Sequence, residues 1–180
     1  MLRNTDDRYG LPAMALHWIM AALMIGLFAF GLWMDELPKN DFRVSMFGLH
    51  KSLGVLVLLL VAVRLAWRAV NPVPRPVAGP LWQQLAAHGA HLALYGLMIA
   101  IPLAGWLMSS AAGKPVSLFG LVTLPPLIGQ DKPLKETFEE VHSALAFAMI
   151  GLVFIHAAAA VWHQRIRKDG VLARMLPLAR

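Results

Sequence analysis

The sequence predicts an all-α fold of the integral membrane class, four apolar helices bundled across a bilayer. Three observations predict it. Of 180 residues, 58% are hydrophobic and only 14% are charged, whereas a soluble domain carries roughly 25% charged residues. Four apolar stretches reach the length of about 20 residues that crosses a hydrocarbon core at about 1.5 Å per residue, separated by short polar or proline-rich segments. All six tryptophans (Trp18, Trp33, Trp67, Trp82, Trp106 and Trp162) fall near the ends of these stretches, where an interfacial aromatic belt would place them.

The first helix is expected over residues 12–34. Pro12 suits a first turn, where its missing N–H costs nothing. Arg3 and Arg8 precede the apolar run, but it ends in Trp33-Met34-Asp35-Glu36 with no small-residue cleavage site, so it reads as a retained helix rather than a signal peptide. A polar connection containing Pro38 covers residues 35–46. The second helix is expected over residues 47–67, with His50 and Lys51 in its first turn and Arg64 and Arg68 marking its far end. Residues 71–80 (NPVPRPVAGP) hold four prolines and cannot continue a helix. The third helix is expected over 81–108, with His88 and His91 in its first half. Its Pro102 is expected to kink it, which is tolerable inside a membrane bundle.

Residues 109–135 form the longest connection. Its middle, VSLFGLVTLPPLIG, is too short and too interrupted by Gly and Pro to span. A loop or a short interfacial helix lying over the end of the bundle is expected there. The fourth helix follows over 138–163, and residues 164–180 form a basic tail. The chain reads as a single membrane domain without an internal repeat.

Alternate crossings place ten Lys and Arg on the side of the N-terminus, the 2–3 connection and the tail, against six on the other side. The positive-inside rule makes the first side cytoplasmic, with both termini inside. The expected location is therefore the bacterial inner membrane. The formal charge of +6 does not point to nucleic acid, because the basic residues flank apolar segments and form no continuous stripe. The absence of cysteine excludes disulfides, zinc–thiolate sites, iron–sulfur clusters and covalent haem attachment.

The chemistry lies with the histidines. His142 and His156, fourteen residues apart, would stand roughly 21 Å apart along a helix and within ~40° of one face. Imidazoles inside a bilayer need partners. With the assigned orientation, His17 lies at the inner depth of His156, and His50 at the outer depth of His142. Two facing imidazoles at one level, with a flat slot between them, suit axial ligation of a b-type haem. Four histidines paired at two depths therefore predict two haems. His17 and His156 would hold the inner one, and His50 and His142 the outer one. His91 lies deep enough to compete with His17. His88, His91 and His163 also remain candidates for haem-carboxylate contact, a quinone site, proton carriage or simple hydration. Ala21, Ala22, Gly54, Ala144, Ala146, Gly151 and Ala157 to Ala160 would leave room beside the ligands, although close packing of membrane helices favours the same residues. The ten methionines read as core filling.

The motifs LHW around His17, GLHKSLG around His50, AHGAHLALY in the third helix, EEVHSALA around His142, IHAAAAVWH around His156 and the VLARMLP ending together resemble the bacterial cytochrome b561 family of di-haem, four-helix membrane proteins. The likeness covers essentially the whole chain and is nearest to the superoxide-oxidising members. Carried over by position, it implies His17, His50, His142 and His156 as ligands of two non-covalent haems b. It implies oxidation of superoxide to dioxygen at the periplasmic face, with electrons passed through the haems to ubiquinone. The fourteen-residue spacing is also similar to that of di-haem cytochrome b subunits of hydrogenases and formate dehydrogenases, so a non-enzymatic electron conduit is the alternative. The short connections favour a chain that needs no obligatory protein partner. A small anion such as superoxide calls for local positive potential at the outer side, for which Lys51, Arg43 and Lys114 are the candidates. Quinone is expected near the inner haem, beside His91 or His163. The remaining partner is the lipid bilayer itself.

Overall fold

Four long helices make up the chain: α1 (Leu11–Asp35), α2 (Asp41–Val70), α3 (Leu81–Ala111) and α4 (Lys132–Trp162). They are seen in a computed structural model that describes residues 1–176. The last four residues, which include Arg180 and the end of the expected basic tail, lie outside the described residues. Each helix is long and apolar enough to cross a membrane. Leu92, Phe154 and Ile155 are 67%, 71% and 66% exposed on their outer faces. Such surfaces would drive association in water but suit hydrocarbon.

The helices extend beyond the apolar runs because polarity marks the membrane boundary and capping marks the helix end. Asn40 caps α2, its side-chain oxygen accepting the Arg43 N–H at 3.0 Å. Asp131 caps α4 in the same way, accepting the Leu134 N–H at 2.8 Å. Each cap starts its helix about two turns ahead of the apolar run, so the 1–2 connection is shorter than its polarity suggests. α3 continues as an α-helix through Pro102.

The core is a midplane cluster of Met20, Val57, Val61, Met98, Ile101 and Met149. Met149 lies seven residues from His142 and seven from His156, so this apolar plug separates the two histidine levels. Lipid tails are as apolar as these side chains, so its cohesion comes from dispersion packing rather than from expelled water. α4 packs closely along α3, while α1 packs on α2 and α2 on α3. α4 stands off from α1 and α2, and its two histidines face across that gap.

The two ends of the bundle are built differently. At the tail end, three segments knit together. The Asn4 side chain donates to the Pro72 carbonyl (2.8 Å), Arg75 pairs with Asp6 (2.8 Å), Trp18 donates to the Met175 carbonyl (2.8 Å) and Arg174 to the Arg75 carbonyl (2.7 Å). α4 passes into a π-helical turn, His163–Arg167, and a 3₁₀ turn, Leu172–Met175. At the other end, the long connection forms a hairpin of β1 (Val116–Leu118) and β2 (Val122–Leu124), antiparallel with Ser117 opposite Thr123. The expected loop or interfacial helix is thus a strand pair. Its Val, Leu and Thr residues favour a pleated backbone, and Gly120 supplies the turn.

Candidate functional site

At the hairpin end, His50 on α2 faces His142 on α4, with ring centres 6.3 Å apart and planes at 71°. Because α2 starts at Asp41, His50 stands more than two turns inside its helix rather than in the first turn. His142 is equally deep in α4. The His142 Nδ1 donates to the Ile101 carbonyl at 2.9 Å. A carbonyl only accepts, so Nε2 keeps its lone pair. Gly105, one turn beyond Ile101, makes this approach possible. A Cβ there would sit 3.2 Å from the His142 ring. Gly31 stands against His50 more loosely, where a Cβ would meet Cε1 at 3.4 Å, an ordinary contact distance. The His50 Nδ1 is buried and has no hydrogen-bond partner among the described residues. An apolar cavity opens beside the pair, bounded by Met24, Phe28, Gly54, Val57, Pro102 and Met149.

At the tail end, His17 on α1 faces His156 on α4, ring centres 6.2 Å apart and planes at 62°. His91 on α3 lies closer to His156, at 5.3 Å. Arg64 turns inward: Nη2 is 3.1 Å from His17 Nδ1, and Nε donates to the Tyr95 hydroxyl at 3.0 Å. Its guanidinium also lies over the Tyr95 ring, 5.5 Å from the centroid. A guanidinium only donates, so His17 Nδ1 is the acceptor here; ligation of a metal through Nε2 would move the ring proton to Nδ1 and release this contact with Arg64.

This donor set suits a haem. Two imidazoles each about 2 Å from one metal have ring centres roughly 6 Å apart once the ring radii are added. Both levels show that spacing, whereas the His91–His156 separation falls short of it. Among the described residues, no group of three or more His, Asp or Glu converges as a metal site. The buried, unpartnered nitrogen of His50 is the kind of orphan polar atom that a ligand satisfies.

The expected cations part company. The Lys51 Nζ donates to the Pro115 carbonyl at 2.7 Å, and Lys114 is close enough to act on it electrostatically. These two share the base of the hairpin. Arg43 sits apart, donating to the Leu37 carbonyl (2.7 Å), pairing with Asp35 (3.6 Å) and stacking over Phe47. His88 is exposed. His163 is not simply hydrated: its Nδ1 lies 2.5 Å from Asp169, because the π-turn reverses the chain at Lys168, which is in the left-handed conformation. Burial alone would push the Asp169 carboxyl up. The His163 hydrogen bond, the Val171 N–H and the nearby charges outweigh it and hold the carboxyl below its usual range.

The sequence reads Arg64 as a helix-end marker and does not single out Tyr95, Gly31 or Gly105. The signal for Arg64 lay in its arginine type: it falls at the depth of His17, where a mere boundary charge would point to water.

A family model described as prokaryotic cytochrome b561 matches residues 8–178. Cytochrome b561 homolog 2 of Escherichia coli strain K12 is 38% identical over 176 residues, covering 96% of this chain and 93% of that protein. Cytochrome b561 homolog 1 of the same strain is 30% identical over 176 residues, covering 95% and 98%. A probable superoxide oxidase, CybB, of Yersinia pestis is 27% identical over 175 residues, covering 96% and 98%. With four membrane-crossing helices and a family match along almost its whole length, the chain belongs to the prokaryotic cytochrome b561 family, multi-pass bacterial membrane proteins that bind b-type haem.

Proposed function

We propose that this chain is a di-haem b oxidoreductase of the inner membrane that oxidises superoxide to dioxygen at its periplasmic face and reduces ubiquinone. The carrying observation is the pair of facing imidazoles at each end of α4, His50 with His142 and His17 with His156, each at a ring separation that would let the two rings hold a haem between them. When bound, b-type haem supplies one-electron redox chemistry. The reaction balances as two superoxide anions yielding two dioxygen molecules and two electrons, which with two protons convert ubiquinone to ubiquinol. The name of the Yersinia pestis relative supports superoxide as substrate. The excess of Lys and Arg at the tail end supports a cytoplasmic tail end and a periplasmic hairpin.

The chain's own residues supply orientation and charge. The Ile101 carbonyl fixes the His142 ring. Lys51 and Lys114 together put positive potential at the hairpin base, where an anion would approach. Arg43, neutralised by Asp35, adds less. At the tail end, Arg64, Tyr95 and His91 offer donors and exchangeable protons beside His17 and His156, which suits the head group and proton demand of a quinone.

The test is ubiquinone reduction by the purified, haem-loaded chain with an enzymatic superoxide source. Quinol should form faster than the spontaneous rate. In the Lys51→Gln/Lys114→Gln variant the rate should fall and depend less on ionic strength. No turnover above background would reassign the chain as an electron conduit for a larger dehydrogenase or hydrogenase.

A further inference from the structure

The β1–β2 hairpin closes on a tip that no helix covers. The turn is held by the Leu121 N–H donating to the Leu118 carbonyl at 3.0 Å. Phe119 at φ 52° and Gly120 at φ 75° both take the left-handed conformation. Glycine does so freely, whereas an aromatic residue is strained there. Strain of this kind marks a position kept for something other than stability. Phe119 is nevertheless 49% exposed, with Leu121 at 82% and Val122 at 55%. No charged residue occurs from 115 to 130.

The base of the hairpin, by contrast, is firmly held. The buried Ser52 Oγ accepts the Phe119 N–H (3.1 Å) and donates to the Ser117 carbonyl (2.7 Å). Lys51 grips the Pro115 carbonyl. Trp106 Nε1 donates to the Pro125 carbonyl at 3.1 Å, and the Leu127 N–H to Ser110 Oγ at 3.1 Å. β1 packs on α2 and α3, so the tip projects from the rim of two membrane-crossing helices.

We propose that the tip, Phe119 to Leu121, is an anchor seated in the lipid–water interface of the leaflet at the hairpin end. The occupant around it is lipid for three reasons. The tip continues the apolar outer surface of the helices on which its base is built. It bears no charge or salt bridge that would hold it in water. Two of its backbone N–H groups are already bonded, Leu121 to the Leu118 carbonyl and Phe119 to Ser52 Oγ, which lowers the cost of entering a less polar medium. Aromatic and aliphatic side chains on a hydrogen-bonded turn are suited to that depth.

The chain contains no cysteine, so single-cysteine labelling is clean. The haem-loaded protein is placed in phosphatidylcholine nanodiscs with a nitroxide at Leu121→Cys or, as an aqueous control, at Lys132→Cys. Collision rates with oxygen, which concentrates in lipid, and with a water-soluble nickel complex are compared by power saturation. Unchanged haem absorbance certifies folding of each variant. Oxygen should dominate at Leu121 and nickel at Lys132, the ratio differing several-fold. Adding Phe119→Asn, which accepts the left-handed backbone but removes the ring, should lower the oxygen-to-nickel ratio at Leu121 several-fold. Nickel dominating at the tip of the otherwise native chain overturns the proposal. So does protection from both reagents, which would mean that a protein partner or a second copy covers the tip. An unchanged ratio in Phe119→Asn removes Phe119 from the anchor.

Discussion

The two histidine levels share one helix and nearly one ring spacing, 6.3 Å at the hairpin end and 6.2 Å at the tail end. They differ in what holds the rings. At the hairpin end the rings themselves are held without a charged side chain: a backbone carbonyl orients His142, and Gly105 makes room for it. At the tail end a guanidinium bonds His17, and a third imidazole, His91, crowds His156. One helix with two histidines fourteen residues apart has therefore been given two unlike electrostatic surroundings. A fixed positive charge beside a redox centre favours the extra electron there. On the proposed reading, Arg64 biases electrons toward the tail end, the direction in which ubiquinone would receive them.

Removing one ring at a time breaks the comparison most severely. His142→Leu should abolish haem at the hairpin level only, and His156→Leu at the tail level only. Each variant should fall to about half the haem of the parent, and the double variant to none, because a b-type haem has no covalent tether. Haem counting by pyridine haemochrome reads this directly. Full haem content in His142→Leu would end the assignment of that level. In His91→Leu, haem content should be preserved, since the His91–His156 spacing is too short for a shared metal.

Gly105→Val should come next in size. The added side chain drives into the His142 ring and breaks its bond to the Ile101 carbonyl, an overpacking that costs about 1–3 kcal/mol. The spectrum of the hairpin-level haem should broaden or shift while that of the tail level stays put. Arg64→Leu should do the converse more gently. Loss of the charge should lower the midpoint potential at the tail level by roughly 100 millivolts, on the order expected for unit charges about 7 Å apart at an effective dielectric of about 20. Equal shifts at both levels would erase the contrast between them.

How far the sequence carried depended on the kind of physics involved. The four helices were legible because a bilayer imposes one length and one polarity. The pairing of histidines by depth followed from charge asymmetry and helix rise alone. The helix starts at Asp41 and Lys132 were hidden because Asn40 and Asp131 cap their helices in water, ahead of the apolar runs. The hairpin was hidden because six short strand residues make no periodic pattern. Gly105 was invisible for a different reason. A glycine in a membrane helix has many uses, and only the neighbouring imidazole shows which one applies. Arg64 marked a helix end in one dimension and became the partner of His17 and Tyr95 in three.

The smallest expected effect tests whether the tail-end contrast extends past the membrane. Asp169 accepts from His163 and lies 3.7 Å from Arg167, closing the turn that sends the chain from α4 back toward Trp18 and Arg75. Its folded pKa lies below the ordinary carboxylate value. The stabilisation is therefore fully present above the unfolded pKa of about 4 and is lost as pH falls through the folded one. Asp169→Asn should loosen residues 163–176 by about 1 kcal/mol at neutral pH, the scale of one hydrogen bond, without changing haem content at either level. Hydrogen exchange of those amides measures the local opening. The gap between variant and parent should hold constant from neutrality to about pH 5 and close below about pH 4. A gap that persisted in acid would mean that the carboxylate charge does not hold the turn. A change at the hairpin level would mean that the two ends of the bundle are coupled through the midplane core rather than separated by it.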